Sequence, residues 1–197
     1  MRTILKVSLL ALLVAPVAHG QGPIIAGAAP VLEAGMGYSY VNASVPSESK
    51  LWMNGVQATV NADVHRRFGV KLEVGYARKF NAHGTGHSAD MLTYMGGPVI
   101  YPVRTRNMNV YAHLLLGGAR ETGMNFESDG QIVLGYVNQF AWAGGMGVQY
   151  RVSPSLAMRV GAEYLRTAFF NSNIAVQGQT NLRPSISLIY TFAGNRE

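Results

Sequence analysis

The sequence lacks cysteine, has few charged residues and contains no long apolar run. None of its 197 residues is cysteine, and 13% are charged against 48% hydrophobic. The absence of cysteine excludes a disulfide framework and thiolate metal sites. No stretch after residue 20 approaches the ~18 continuous apolar residues that a membrane-spanning helix needs. So small a charged fraction is unusual for a surface that faces only water, and part of the chain therefore requires another environment.

The first twenty residues are typical of a secretory signal peptide. Arg2 and Lys6 give a basic start, residues 7–17 form a short apolar run, and Ala18 and Gly20 are the small residues of a cleavage site. Cleavage after Gly20 would lower the formal net charge from +6 to +4. The remaining basic residues are scattered singly or in pairs, which does not favour nucleic-acid binding. Export without disulfides suits a bacterial cell envelope.

After a leader at 21–30, eight segments alternate apolar and polar residues with the period of two that predicts β-strands. Gly96 and Pro98 predict a bulge in the fourth segment. Short turns at 65–69, 104–108 and 153–155 alternate with longer loops, the longest expected at 121–138. This alternation predicts an up-and-down meander with every long loop at one end. The segments are 31–41, 52–64, 70–78, 90–102, 109–119, 139–151, 156–166 and 181–192.

Aromatic residues lie at both ends of the apolar faces. Those at the short-turn ends are Tyr150, Tyr190 and Phe192; those at the long-loop ends are Tyr38, Tyr40, Trp52, Tyr76, Tyr94, Phe140, Trp142 and Tyr164. Two aromatic rings around an apolar band are typical of a protein crossing a bilayer. Because every backbone group must be paired in lipid, the sheet has to close. The sequence thus predicts an all-β fold, an eight-stranded antiparallel up-and-down transmembrane β-barrel whose even-numbered strand residues face lipid.

This pattern resembles the small eight-stranded outer-membrane barrels, the group that contains the OmpA transmembrane domain and the opacity-like proteins. The resemblance spans 31–192 and includes "YAHLLLGGAR" (111–120), "AEYLRTAFFN" (162–171) and the aromatic-ended last strand. It implies a location in the outer membrane, insertion by the barrel-assembly machinery and a monomer surrounded by outer-membrane lipid. The even strand number predicts that both termini, including a short tail at 193–197, are periplasmic.

Inward-facing charges are the candidate functional residues. Hairpins centred near residues 67 and 173 predict that Asp63 faces Lys71 and that Glu163 faces Arg183. Facing opposite charges stabilise a strand pair, and an eight-stranded lumen is just wide enough for side chains to fill it. We therefore expect two structural ion pairs within a polar plug, with a narrow channel for small solutes as the alternative. The other polar side chains expected in the lumen are Glu33, Glu73, His113, Arg151 and Arg159.

Two lumen features could suggest bound ligands. "AGGMGV" (143–148) contains the glycines of a phosphate-binding loop but lies within one alternating strand, whereas such a loop needs a helix after it. Gly145 and Gly147 more simply keep a narrow lumen from being overfilled. His113 has no second lumen histidine nearby in the sequence, which favours a hydrogen-bonded histidine over a metal ligand.

One loop could suggest catalysis. "HGTGHSAD" (83–90) contains His87 and Ser88, the residue types that some small barrels use to deacylate or acylate lipid A. Adjacent strand residues point in opposite directions, so this pair suits a proton relay poorly. We therefore expect no enzyme, with no catalytic, cofactor or metal site, and a structural or loop-mediated interaction role; a lipid A-modifying enzyme is the second alternative.

Overall fold

The structure is a computed structural model, described here at residues 31–43, 51–81, 88–126, 132–167, 171–172, 175–176 and 179–193. Within these ranges, no helix is long and apolar enough to cross a membrane. The predicted signal peptide at 1–20, the leader at 21–30 and residues 194–197 of the tail lie outside the described residues. The strands are β1 Val31–Ala43, β2 Leu51–His65, β3 Phe68–Lys79, β4 Ala89–Arg104, β5 Met108–Phe126, β6 Ile132–Arg151, β7 Leu156–Thr167, β8 Asn171–Ser172, β9 Ala175–Val176 and β10 Gln179–Ala193.

Eight of these strands form a closed antiparallel barrel. Each pairs with its neighbours in the order β1-β10-β7-β6-β5-β4-β3-β2, and β1 and β10 close the ring through pairs such as Met36 with Leu188. β8 and β9 form a separate two-stranded sheet in the connection before β10. A closed ring leaves no unpaired sheet edge, which is the condition for placing a sheet in lipid. The predicted fold is confirmed.

Side chains alternate between an apolar outer face and a lumen. On β3, Leu72 and Val74 are 58% and 52% exposed, whereas Lys71 and Glu73 between and beside them are 2% exposed. The same alternation continues around the barrel, with the even-numbered residues outside as predicted except at Asn42, which is buried, and at the foot of β4, where Val103 is exposed and Arg104 pairs with the buried Asp63. In water the side chains of this outer apolar band would be exposed to solvent, whereas in a bilayer they contact lipid.

The outer aromatic residues form contacts at both ends of the apolar band. Tyr40 stacks on Trp52 with ring centroids 4.9 Å apart at the long-loop end. Tyr190 meets Phe192 edge-on at 5.0 Å at the short-turn end. Amphipathic rings at two levels match the two interfaces of a bilayer. The spacing of the aromatic residues along the strands therefore fits a membrane-spanning band.

The short turns lie where they were predicted, with two changes nearby. Pro98 is in regular register with Val70, whereas the pairing of β4 with β5 shifts between Ile100 and Val103. Pro102 lies inside this shift. The irregularity expected at Pro98 is therefore found nearer the turn, where a bulge leaves the missing proline donor outside the ladder.

The longest loop was predicted wrongly. Most of residues 121–138 continue β5 and β6 as a paired hairpin that extends to the pair Phe126–Ile132. Beyond the aromatic ring both faces of a hairpin can meet water. The apolar–polar contrast that marks the membrane strands is then lost, and the sequence pattern no longer indicates a strand. The longest connection between barrel strands is instead 168–178, which contains β8 and β9.

Candidate functional site

The lumen is divided into a charged half near the short turns and an apolar half near the long loops. The sequence pattern predicted polar side chains throughout the lumen, and the apolar half was not predicted. In the parts of the strands near the long loops, the odd-numbered residues are small or apolar, and this pattern could have predicted the apolar half. The buried apolar cluster consists of Val41, Leu51, Met53, Ala77, Ala89, Met91, Met95, Leu115, Ala119, Ala141, Ala143 and Leu165.

A four-residue cluster forms the centre of the charged half. Arg183 lies directly opposite Glu163 in the β10–β7 register, and its Nε donates to Glu163 Oε2 at 3.0 Å. Its Nη2 also contacts the carboxylates of Glu163 and Glu73. Lys71 Nζ lies 2.7 Å from Glu73 Oε2 and 3.2 Å from Glu163 Oε1. Two cations thus share two carboxylates, and all four side chains are buried.

His113 borders this cluster. Its Nε2 lies 3.2 Å from Glu163 Oε1, and its ring stacks on Tyr111 with centroids 5.8 Å apart. The described part of the chain contains no group of three or more histidine, cysteine or carboxylate side chains arranged to hold a metal ion. His113 Nε2 is thus within ion-pair distance of a Glu163 oxygen that also contacts Lys71.

A second cluster lies closer to the short turns. Arg159 Nη2 donates to Glu33 Oε2 at 3.2 Å and to Gln149 Oε1 at 2.6 Å, while Gln149 Nε2 donates to Glu33 Oε1 at 3.1 Å. The Arg159 guanidinium also lies over the Tyr111 ring, 5.0 Å from its centroid. Glu33 and Arg159 were predicted as lumen residues, and the structure adds Gln149 and Tyr111 as their partners.

The predicted Asp63–Lys71 pair is wrong. The β2–β3 turn consists of residues 66–67, and with the irregularity between Asp63 and His65 it places Asp63 opposite Gly69 and Lys71 opposite Asn61. This register is shifted from the one that a turn centred on residue 67 gives. Asp63 instead accepts from Tyr101 and Arg104.

The Asp63 cluster lies at the short-turn end of the lumen. The Tyr101 hydroxyl donates to Asp63 Oδ1 at 2.9 Å, and Arg104 Nη2 lies 2.5 Å from Asp63 Oδ2. The Arg104 guanidinium lies 3.9 Å from the Tyr101 ring centroid. Arg104 was not predicted as a lumen residue because the sequence pattern places it in a turn. Arg151, predicted inside the lumen, is half-buried at the end of β6, where its backbone N–H donates to Asn107 O at 2.8 Å.

Inward-facing glycines make room for these clusters. A Cβ added at Gly145 would lie 2.5 Å from Glu163 Cγ, and one at Gly147 would lie 2.3 Å from Val160 O. At Gly161 it would lie 2.3 Å from the Tyr111 hydroxyl. The role predicted for Gly145 and Gly147 is confirmed, and both lie within β6.

Charge balance explains how so many ionised groups are buried together. Isolated charges are costly to bury, and partners with complementary hydrogen bonds offset that cost. The three clusters pair four carboxylates with four cations: Glu33, Asp63, Glu73 and Glu163 with Lys71, Arg104, Arg159 and Arg183. The arrangement can therefore hold a network of ion pairs that spans the lumen.

The segment 83–90, considered above for catalysis, contributes no described contact to these clusters. His87 lies outside the described residues. Ser88, which immediately precedes β4 and belongs to no strand, is half-buried. The hypothesis of a histidine–serine pair therefore stays a hypothesis.

Comparison with solved structures finds the same fold in several bacterial outer-membrane proteins. Ail, the attachment invasion locus protein of Yersinia pestis, superposes with a TM-score of 0.60 at 14% identity, covering 83% of this chain and 99% of Ail. Neisserial surface protein A superposes with a TM-score of 0.60 at 12% identity, covering 84% and 99%. OprG from Pseudomonas aeruginosa gives 0.52 at 13% identity, covering 84% and 97%. These likenesses show the fold.

Sequence comparison assigns the chain to a family. No curated protein matches it. Residues 7–189, however, match the family described as the outer membrane protein beta-barrel domain, and this match covers most of the chain. Together with the closed ring of eight antiparallel strands and the lipid-facing apolar band, the match identifies the protein as a member of the outer membrane protein beta-barrel domain family.

Proposed function

We propose that this protein is a closed outer-membrane barrel that acts as a structural element and presents its long loops for interaction. In this proposal the signal peptide at 1–20 directs export, the termini and the short turns face the periplasm, and the long loops face outward. The even number of barrel strands supports this orientation, since it returns the chain to its starting side.

The observation that carries the proposal is the presence of two seals in series. Arg183, Lys71 and Glu73 of the central cluster are each 2% exposed, and with Glu163 they form a balanced set of two cations and two carboxylates. Above them Leu115 and Leu165 are fully buried within the apolar cluster. A paired charge layer offers an ion no vacant partner, and an apolar constriction blocks conduction by excluding water.

The barrel would provide the rigid support that loops with an interaction role require. Loops that function in binding are commonly held by a rigid scaffold. One structure of Ail, which superposes here with a TM-score of 0.58 at 16% identity, holds the heparin analogue sucrose octasulfate. By this analogy we propose that the connections at the long-loop end contact molecules at the cell surface.

Planar-bilayer recording of the refolded protein tests the plug. Wild type should give almost no current, while Glu163→Ala/Arg183→Ala combined with Leu115→Ala/Leu165→Ala should conduct, because this variant opens the charged layer and the apolar constriction together. Tyr164→Ala with Leu182→Ala is the matched control, since these residues pair directly on the outer face of the same two strands. Stable stepwise conductance of wild type would favour the narrow channel instead. A changed lipid A mass spectrum in cells that express the protein would refute the non-enzymatic proposal.

A further inference from the structure

The short-turn end of the barrel carries a one-sided positive charge. Among the residues that the structure describes there, five arginines are accompanied by a single carboxylate, Asp63, which is already paired with Arg104. The excess of four equals the whole formal excess that remains after residues 1–20 are removed. The arginines are Arg66, Arg67, Arg104, Arg106 and Arg151.

The opposite end shows no such excess. Arg78 and Asp90 form an ion pair there, and Arg120 lies over the Tyr136 ring, 4.4 Å from its centroid. In the sequence, the segments 44–51, 78–90, 120–131 and 166–178, which connect the barrel strands on that side, contain five lysine or arginine residues and five carboxylates. The net positive charge of the barrel therefore lies at the short-turn end.

Three rim side chains are available to a partner. Arg66, Arg67 and Arg106 are exposed, and their side chains have no hydrogen bond or ion pair within the part of the chain that the structure describes. A guanidinium presents a planar fork of donors that matches a phosphate, and it is more weakly hydrated than an ammonium group. These arginines thus offer unoccupied phosphate-binding groups.

Backbone hydrogen bonds hold the turns that carry them. Tyr101 N–H donates to Arg67 O at 2.9 Å, which ties the β2–β3 turn to the foot of β4. Arg151 N–H donates to Asn107 O at 2.8 Å, which ties the β4–β5 turn to the end of β6. Within its turn, Thr105 Oγ1 donates to Met108 O at 2.7 Å. The arginines therefore lie on a preorganised arc, which lowers the entropic cost of binding.

The arginines lie next to the edge of the outer apolar band, and this depth in the membrane indicates which kind of partner they bind. Val64 and Phe68, which flank the β2–β3 turn, are 71% and 56% exposed on the outer face. Val152, at the end of β6, is 63% exposed. Side chains this close to lipid-facing residues lie at headgroup depth, where an anionic lipid supplies both the acyl chain and the phosphate.

We propose that Arg66, Arg67 and Arg106 form a binding surface for the phosphates of anionic phospholipids in the leaflet next to the short turns. A phosphatidylglycerol headgroup is anionic and has no ammonium group that competes for its phosphate, so it should be preferred over zwitterionic phosphatidylcholine. The surface belongs to the periplasmic leaflet if the proposed orientation holds, and the lipid preference itself does not depend on the orientation.

Electron paramagnetic resonance of spin-labelled lipids tests this proposal. The full chain is refolded into phosphatidylcholine vesicles with a trace of labelled phosphatidylglycerol or labelled phosphatidylcholine, and the fraction of motionally restricted label is compared. Wild type should prefer phosphatidylglycerol on the order of fivefold for each arginine that contacts a phosphate. The preference should fall to near unity in Arg66→Gln/Arg67→Gln/Arg106→Gln, and at about 1 M salt, where the Debye length is roughly 3 Å.

Two matched variants separate this surface from general effects. Lys79→Gln/Arg120→Gln/Arg166→Gln removes the same charge from the opposite end and should leave the preference unchanged. Arg66→Lys/Arg67→Lys/Arg106→Lys should restore part of the preference, because it keeps the charge and loses the fork. Folding of each variant is checked by heat-modifiable migration in gels. Equal preference in wild type and the rim variant, or loss only in the opposite-end variant, would overturn the proposal. Binding to purified peptidoglycan that requires these arginines, without a lipid preference, would overturn it in favour of a polymer partner.

Discussion

Removing Glu163 should destabilise the barrel more than removing Glu163 and Arg183 together. Glu163→Gln leaves Arg183 and Lys71 to share Glu73, which is one uncompensated positive charge in a region that is 2–3% exposed. Arg183→Gln leaves the opposite imbalance. The double variant keeps the Lys71–Glu73 pair at 2.7 Å, which is balanced.

The magnitude follows from burial. Breaking a buried pair by removing one partner typically costs ~3–5 kcal/mol. If the double variant costs no more than either single variant, the coupling energy has about the size of one single substitution, again ~3–5 kcal/mol. The Arg78–Asp90 pair provides the contrast. Its side chains are 42% and 26% exposed, so its coupling should be only ~0.2–1 kcal/mol.

Equilibrium unfolding in urea, with the refolded protein in lipid vesicles, measures both cycles. Trp52 and Trp142 lie on the outer face and report the transfer of the barrel from lipid to water. The four proteins of each cycle are compared at one lipid composition and one pH. Coupling below ~0.5 kcal/mol for Glu163–Arg183, or equal coupling in the two cycles, would refute the argument that the central cluster is dry and charge-balanced.

Three further outcomes are expected. Gly147→Ala should lower the free energy of unfolding by ~1–3 kcal/mol because its Cβ would lie 2.3 Å from Val160 O, whereas Gly144→Ala, whose Cβ would lie 3.7 Å from the nearest side-chain atom, should be nearly neutral in the same urea assay. Leu115→Ala should cost ~2–5 kcal/mol through a cavity in the fully buried apolar cluster, and Leu114→Ala on the lipid face should cost clearly less; equal losses would contradict the assigned register. Protease added to intact cells should cut, if anywhere, within 79–88, 121–138 or 168–180. Cleavage confined to the short turns would show that the orientation is the reverse of the proposed one.

The membrane part of the fold could be predicted from the sequence because lipid and lumen impose opposite chemistry on alternate residues. On β3, for example, Val70, Leu72 and Val74 alternate with Lys71 and Glu73, and this contrast fixes strand, face and period at once. The extension of β5 and β6 beyond the aromatic ring could not be found in this way, because no lipid imposes the contrast there. A local period therefore identifies strands only where their two faces meet different environments.

The lumen was harder to predict because its partners come from distant strands. Glu163 and Arg183 face each other across one hairpin, so their proximity followed from a loop midpoint. Which residue faces Asp63 depended on the register of a two-residue turn. Its actual partners, Tyr101 and Arg104, lie on β4. A shift of one position changes the facing residue, and no sequence period records which side chains meet across the lumen.

The cross-lumen contacts also explain why an eight-stranded barrel would keep charges where apolar residues could fill the space. Lys71 on β3 reaches Glu163 on β7, and Glu33 on β1 reaches Arg159 on β7, although neither pair of strands is hydrogen-bonded. Ion pairs are directional, so each contact fixes the separation of two strands that the sheet itself connects only around the circumference. Apolar packing, as around Leu115, excludes water but imposes no such distances. The charged half therefore sets the cross-section of the barrel, and the apolar half keeps that network dry.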